Sequence, residues 1–296
     1  MATGESGPDL RDRLVDQAAA LPVANQATLF RVAELCRDPS TDARAIAAEA
    51  QHDEVFAATL LRLANSSWSA SATAIADLNG AVARLGLRLV EHLALTTPGL
   101  RLAAAGPRRL AVELQLLHRH AVRTGLAARA LARADINGDE ALAAGLVHNL
   151  GLTILGVVEP TIFDVLLDAA ARGRQLRDVE VEQLGFTHAE LGGLLAERWR
   201  FPVGLVAVVT DHDGERPSGM TAVVRLSDLL ARDAGIGVEP PEPIPDELLL
   251  ETGVDIAAAH DRLAPLFEAE ARRETGQHEP VPHEFEAADV LDAASA

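Results

Sequence analysis

This sequence has a single cysteine and no lysine. The chain of 296 residues contains one cysteine, Cys36, which cannot form an internal disulfide and fits a reducing compartment. It contains no lysine, so its 26 basic residues are all arginines, and 44 acidic residues leave a formal net charge of −18. An acidic surface repels phosphate groups, which argues against a general binder of nucleic acid or of anionic membranes.

The sequence also lacks segments that would direct it out of the cytoplasm. Its first residues, MATGESGPDLRDR, do not combine a charged start with an apolar stretch, as a secretory signal would. We find no apolar run that approaches the roughly 20 residues needed to span a bilayer. A composition of 48% hydrophobic and 24% charged residues is typical of a globular protein. We therefore expect a cytoplasmic protein with a sizeable buried core.

Strand patterns are missing as well. No stretch of the first hundred residues keeps the alternation of apolar and polar residues that marks a strand, whereas helical periodicity recurs along the whole chain. The pattern predicts an all-α fold. Within it we expect Gly86 to separate two helices, and Ser40 or Thr41 to cap the helix that follows them.

Six polar residues in the second half occupy places on predicted helices where an apolar residue would be the simpler choice. They are His120, His148, Asn149, His188, His212 and Asp228. Each lies at the edge of an apolar stripe, so all six can point into one interior. The central pair sits in GLVHNLG, within a single helix predicted over residues 140–155. Imidazoles and carboxylates that project inward from several helices are how a bundle builds a metal site.

The order of these residues resembles that of the HD metal-dependent phosphohydrolases, in which a histidine, a His-Asp pair and a final aspartate lie on separate helices. Over about residues 21–234 the chain resembles, more specifically, the HDOD family, the HD-related output domains of bacterial signalling proteins. Besides the residues above, the resemblance rests on four segments: LLRLANSSW (60–68), AIADLNGAVARLGLRLVEHLAL (74–95), AGLVHNLG (144–151) and LGFTHAELGGLLAERWRFP (184–202).

The resemblance implies a fold and a division of the chain. The fold would be an N-terminal helical subdomain packed on an HD-like helical bundle. The parts would be an N-terminal segment (1–20), the N-terminal helical half (21–107), the bundle (108–236) and a C-terminal part (237–296). That last part contains a proline-rich acidic linker, helices and an acidic tail. Pro and Gly residues near 97–109 suggest a junction at which the halves shift.

The resemblance also assigns roles to the candidate site residues. His120 and His148 match the two HD histidines, Asp228 matches the final aspartate, and His188 and His212 match further ligands of two-metal relatives. Asn149 stands where the family has the bridging aspartate. Its neutral oxygen is a weak ligand, so a two-metal centre loses a main support and activation of a bound water is impaired. We expect no required cofactor, and at most one divalent metal ion held by the remaining ligands.

Three functions stay open at this point. The leading interpretation is a non-catalytic signalling protein that acts through a protein partner. The second is a metal-dependent phosphohydrolase that tolerates Asn149 and cleaves a nucleotide or a cyclic dinucleotide. The third is a sensor that binds a nucleotide without cleaving it. None of the three requires nucleic acid or a membrane as a partner.

For several residues we expect a structural role only. Residues 211–213, Asp-His-Asp, could hold a cation, but we expect a solvated helix end there. His52 is expected at the surface. Trp68 and Trp199 are expected to be core or subdomain-interface anchors. Cys36 lies in an apolar helix and is expected to be an inert core residue.

Overall fold

Helices supply all the regular secondary structure in the part of the chain that the structure describes. The structure is a computed structural model, and it describes residues 7–18, 26–65, 74–96 and 108–274. Within those ranges the backbone forms helices and turns and no strand, which confirms the predicted all-α fold. Trp68 and the Pro/Gly junction at 97–107 lie outside the described residues.

The described residues before the junction form a first group of helices. They are α1 (Gly7–Ala18), α2 (Gln26–Arg37), α3 (Ala43–Ala50), α4 (Glu54–Ala64), α5 (Leu78–Leu85) and α6 (Leu87–Thr96). Gly86 separates α5 from α6 as predicted, with a φ of +76° that side chains rarely adopt. The predicted cap of α3 was wrong by one or two residues. Asp42, immediately before the helix, is the cap, and its carboxylate accepts a hydrogen bond from the Ala45 N–H.

The remaining helices form the second group. They are α7 (Arg108–Leu131), α8 (Gly138–Val147), α9 (Leu150–Val158), α10 (Pro160–Ala170), α11 (Leu176–Leu184), α12 (His188–Arg198), α13 (Val203–Asp211), α14 (Gly219–Asp233), α15 (Asp246–Thr252) and α16 (Ile256–Glu274). The long helix α7 packs against α8, α14 and α16, and α12 packs between α9 and α13. This arrangement encloses the interior in which the candidate residues lie.

The stretch predicted as one helix over 140–155 is two helices. His148 and Asn149 form a turn between the end of α8 and the start of α9, and apolar residues continue through that turn, so periodicity does not reveal it. Residues Gly138–Val158 also correct the expectation about long apolar runs. They make a stretch of 21 residues that contains a window of 18 residues with a mean hydropathy of 1.8, which by length and composition is enough to cross a membrane. Because 89% of that window is buried inside the fold, it serves here as the core of the bundle.

Glycines allow α9 and α12 to cross at very short distance. A Cβ atom added to Gly151 would lie 2.0 Å from the backbone oxygen of His188 and 2.7 Å from the backbone nitrogen of Gly192. The crossing therefore holds the start of α12 directly against the turn that carries Asn149.

Helix α4 connects the first group of helices to the second. The buried carboxyl group of Glu54 accepts a hydrogen bond of 2.7 Å from the Thr153 hydroxyl on α9. Burial raises the pKa of Glu54 to about 8; the Thr153 hydrogen bond opposes this shift and the charge of Asp53 adds to it. At the other end of α4, the Arg62 guanidinium lies 5.2 Å from the ring centre of Trp199, which is 9% exposed. The expected role of Trp199 as an anchor is confirmed.

We predict that Gly151→Ala lowers the free energy of unfolding by about 3 kcal/mol or more, because backbone atoms on α12 must move away from the new methyl group. Urea denaturation followed by circular dichroism measures this. The matched control is Gly204→Ala on α13, where a new Cβ would meet only the terminal methyl of Met220, at 3.4 Å. The control should be as stable as the wild type or more so. Equal stability of Gly151→Ala and wild type would contradict the close crossing.

Glu54 predicts a pH dependence of stability. Its pKa rises on folding from the usual 4.5 to about 8, so the folded state binds the proton more tightly. This contribution is fully present below about pH 4.5 and is lost as the pH rises towards 8. Between pH 5 and pH 8 the wild type should lose roughly 3 to 4 kcal/mol relative to Glu54→Gln, which mimics the protonated acid. Denaturation at several pH values tests this, with Glu197→Gln on the exposed face of α12 as control. Parallel pH profiles for wild type and Glu54→Gln would show the prediction to be wrong.

Candidate functional site

Four histidine side chains form a continuous row inside the second group of helices. The ring centres of neighbours lie 5.3 Å apart for His120 and His148, 5.1 Å for His148 and His212, and 5.4 Å for His212 and His188. None of the four residues is more than 2% exposed. The structure therefore brings together the histidines that the sequence placed in one interior.

All four rings are fixed from behind through Nδ1, so that their Nε2 atoms face the interior. The Nδ1–H of His120 donates to the Ile236 carbonyl at 3.0 Å, and that of His148 to the Gly145 carbonyl at 2.7 Å. The Nδ1–H of His212 donates to the Val209 carbonyl at 3.0 Å, and that of His188 to the Glu180 carboxylate at 2.8 Å. Histidines that bind a metal are commonly oriented by a hydrogen bond of this kind on the nitrogen away from the ion. The row thus has the ring orientation of a ligand set.

Helix ends position most of these side chains. His188 is the first residue of α12, where Thr187 caps the helix as part of a capping box. His212 is the residue that ends α13, and the His148–Asn149 turn joins α8 to α9. Loops and ends of different helices therefore converge on one point, which is typical of functional sites built on a rigid scaffold.

Asp228, on α14, lies fully buried at one end of the row. Its Oδ1 lies 2.9 Å from His120 Nε2 and 2.9 Å from Arg232 Nε, and its Oδ2 lies 2.9 Å from Arg225 Nη1. Burial raises the pKa of Asp228, but Arg232 and then His120 outweigh it and hold the pKa well below its usual range. Asp228 is therefore an ionised carboxylate with both oxygens already bound.

His188, His212 and Asp213, here called the His188 triad, lie together at the other end of the row. The two Nε2 atoms lie 3.4 Å apart, and each lies 3.5 Å from Asp213 Oδ2. The other carboxylate oxygen of Asp213 is 2.7 Å from Arg225 Nη1. The interpretation of residues 211–213 as a solvated helix end was wrong for this pair, because His212 is fully buried and Asp213 largely so.

Two polar atoms at the centre of the site have no hydrogen-bond partner among the described residues. They are Asn149 Oδ1 and His148 Nε2, both buried. Burial lowers the pKa of His148 well below its usual value, and the neighbouring His212 and His120 lower it further. His148 is therefore neutral, with a lone pair on Nε2 that points to the interior, 3.9 Å from Asp228 Oδ1.

A segment that follows α14 closes the site. Residues 236–245 are here called the acidic strap, and they include residues 239–245, which were predicted as a proline-rich acidic linker. Glu239 forms an ion pair with Arg232, and Glu242 lies 3.1 Å from Arg232 Nη1 and 3.2 Å from Arg225 Nη2. Burial raises the pKa of Glu239 to about 7, although the charge of Arg232 opposes the shift. The strap therefore brings two carboxyl groups to the arginines that bind Asp228.

The charged partners of the histidines were missed by sequence reasoning. They are Glu180, Arg225, Arg232, Glu239 and Glu242. For the arginines a signal existed, because Arg225 and Arg232 lie three residues before and four residues after Asp228, on one face of α14. His52 was also misjudged as a surface residue. It is largely buried, and its Nδ1 lies 3.0 Å from a carboxylate oxygen of Glu270.

Cys36 packs against the core but stays partly exposed, so its expected place inside the core was wrong, whereas the expected inertness of its thiol agrees with the structure. It is a free cysteine of intermediate exposure, and burial, with a smaller effect of the charge of Glu91, raises the pKa of its thiol to about 11. A thiol that stays protonated at neutral pH is a poor nucleophile.

We predict that His188 is protonated at neutral pH and that Glu180 is the reason. Burial lowers the pKa of His188, but the carboxylate of Glu180 outweighs it and raises the pKa to about 9. The stabilisation from this pair should be present below pH 6.5 and lost as the pH rises through about 9. Glu180→Gln should bring the His188 pKa below its usual value, as ¹⁵N NMR of the imidazole measures. Arg174→Gln, which removes only the exposed ion pair with Glu182, is the control. An unchanged His188 titration in Glu180→Gln would contradict the prediction.

Solved structures with the same fold exist. The MmoQ response regulator from Methylococcus capsulatus (Bath) superposes with a TM-score of 0.65 at 20% identity, over 82% of this chain and 98% of that one. A virulence factor from Campylobacter jejuni superposes with a TM-score of 0.58 at 16% identity, over 76% of this chain and 82% of that one. At these identities the likeness establishes the fold of this chain.

Sequence comparison identifies the family. An uncharacterized protein of Treponema pallidum (strain Nichols) is 27% identical in an alignment 285 positions long, which covers 90% of this chain and 53% of that protein. This chain therefore spans about half the length of the curated relative that it matches. The family model of the HDOD domain matches residues 21–214, and Arg225, Asp228, Arg232 and the acidic strap lie beyond that range. With most of its length matched by that model, and with the helical fold and histidine row described above, the chain belongs to the HDOD family.

Proposed function

We propose that this chain is a non-catalytic regulatory protein of a bacterial signalling pathway, which works in the cytoplasm by binding a protein partner or by changing shape when a ligand binds. The observation that carries the proposal is the state of Asp228. Both of its oxygens are bound by side chains of the protein, two of them guanidinium groups. Those bonds occupy the carboxylate that, in the enzymes this family resembles, would bind metal.

A centre of two divalent ions does not fit these residues. His120, His148 and Asp228 have ligand atoms within 4.8 Å of one another. An ion there would have to displace a guanidinium from Asp228, and Asn149 supplies no charge to share with a second ion. The positive charges of Arg225 and Arg232 would in addition repel the ion.

A single divalent ion fits the His188 triad better. The ligand atoms of His188, His212 and Asp213 are 3.4 to 3.5 Å apart, close to the spacing of about 3.3 Å between ligands in a tetrahedral zinc site. Glu180 would orient His188 from behind. An ion bound there would supply a fixed positive charge, and these three side chains would hold it in competition with the proton on His188.

Access to the site also supports a role without turnover. The histidines are at most 2% exposed, and the acidic strap lies across the arginines next to them. A phosphate ester outside the protein does not reach the Nε2 atoms in this conformation. MmoQ, which has the same fold, is described as a response regulator. That description is consistent with a signalling role for this chain.

A metal-dependent phosphohydrolase is the second candidate. The inward orientation of the four Nε2 atoms favours it, since that arrangement would let several rings share an ion. It requires Arg225 and Arg232 to leave Asp228 when metal binds. The two candidates therefore differ in the number of ions bound and in turnover.

The test is elemental analysis of untagged protein together with assays on a phosphodiester and a cyclic dinucleotide. We expect at most one divalent ion per chain, lost in His188→Ala and kept in His148→Ala, and no product above the protein-free rate. Asn149→Asp, which restores the carboxylate of the HD pattern, should stay inactive because the arginines still bind Asp228. His118→Ala, on α7 but outside the row, is the control.

Two ions per chain, together with hydrolysis that disappears in His148→Ala, would overturn the proposed function in favour of the phosphohydrolase. Circular dichroism of each variant establishes that the comparison is made on folded protein.

A further inference from the structure

Side-chain contacts hold the middle of the acidic strap in place. Within the described part of the chain, residues 237–244 make no hydrogen bond between backbone groups. The two ends of the strap are tied to the neighbouring helices, because the Ile236 N–H donates to the Ala231 carbonyl and the Pro245 carbonyl accepts from the first turn of α15. Prolines at 240, 241, 243 and 245 have no N–H to donate, so the middle has little capacity to form such bonds.

The middle of the strap is attached through the carboxylates of Glu239 and Glu242 and the partly buried side chains of Val238 and Ile244. Next to it, the Ile236 carbonyl accepts a hydrogen bond from His120. The middle can therefore leave the arginines while both ends stay attached and no helix unfolds.

Glu242 binds the arginines as a small oxyanion would. One carboxylate oxygen lies 3.1 Å from Arg232 Nη1, and the other lies 3.2 Å from Arg225 Nη2, so the group bridges two guanidiniums. Glu239 adds a further contact to Arg232. Paired guanidiniums that share an acidic group are a common way to bind the oxygens of a phosphate.

The charge balance of the site defines what could replace the strap. The carboxylates of Asp213 and Asp228 on the helix framework already match the two positive charges of Arg225 and Arg232. Glu239 and Glu242 together carry up to two further negative charges. A doubly charged oxyanion could therefore exchange with the strap charge for charge, whereas a neutral or cationic ligand could not.

We propose that the acidic strap is an internal substitute for an external anion of the phosphate type, which displaces Glu239 and Glu242 from Arg225 and Arg232 and so opens the histidine row. The anion is either free phosphate or the phosphate group of a nucleotide. The inference rests on the proposed function, because it takes Arg225 and Arg232 as permanent parts of the site. Exchange between the strap and the anion gives the protein two states that a ligand can bias.

The test is a titration with inorganic phosphate by isothermal calorimetry, at constant ionic strength and with a chelator present to exclude metal. Removal of the competing carboxylates in Glu239→Gln/Glu242→Gln should tighten phosphate binding by about tenfold or more relative to the wild type. Glu247→Gln/Asp261→Asn removes the same charge from exposed positions on α15 and α16 and should bind as the wild type does. Adding Arg225→Gln to the strap variant should abolish the gain.

Equal phosphate affinity in the wild type and the strap variant would overturn the proposal, and so would a gain that survives Arg225→Gln. Failure of the folded strap variant to bind phosphate would overturn it as well. If the double variant does not fold, Glu242→Gln alone, whose side chain is 24% exposed in the wild type, should give a gain of roughly threefold or more. The absence of that gain counts against the proposal in the same way.

A parallel titration with adenosine monophosphate identifies the source of the anion. Tighter binding than that of phosphate would point to a nucleotide, and equal binding to free phosphate. This experiment excludes metal and measures no product. Its result can therefore be interpreted even if the assays above reveal a hydrolase. A failed phosphate titration would in turn leave the non-catalytic role intact.

Discussion

An ionised carboxylate without contact to water is stable only when opposite charges and hydrogen-bond donors surround it, and Asp228 imposes this requirement on the bundle. It is fully buried and needs His120, Arg225 and Arg232 to satisfy its two oxygens. Arg232 is itself only 3% exposed, and it contacts Glu239 and Glu242 of the acidic strap as well as Asp228. The strap is therefore attached to the bundle through the same arginines that bind the buried aspartate.

The histidine row depends on the same network at both ends. His120 is held between Asp228 and the start of the strap, and His188 is held by Glu180. Between them lie two rings of lowered pKa, because burial disfavours their charged forms and neighbouring rings add to the effect. Neutral rings with inward lone pairs could accept a proton, a donor group or an ion. The structure thus keeps the orientation of a ligand set while the carboxylates beside it are engaged elsewhere.

The sequence was sufficient for those parts of the molecule that apolar periodicity and residue order determine. The helical fold, the break at Gly86 and the convergence of the six candidate residues followed from those signals. The turn at His148–Asn149 did not, because apolar residues continue through it and the change of direction depends on the glycine crossing at Gly151. The strap could not be recognised either. A segment rich in proline and glutamate has the composition of a solvated linker, and only the buried arginines turn its carboxylates inward.

Asn149 also affects the charge balance of the site. An aspartate there would add another carboxylate to a site that already contains Asp213 and Asp228 and to which the strap brings Glu239 and Glu242. Two divalent ions would balance such a set in an enzyme, but without them the excess negative charge would destabilise the fold. The asparagine adds no negative charge to this set, and Arg225 and Arg232 bind both oxygens of Asp228. On the proposed function, the neutral residue at 149 and the engagement of Asp228 by arginine have the same effect, because both lower the negative charge that a pair of divalent ions would need.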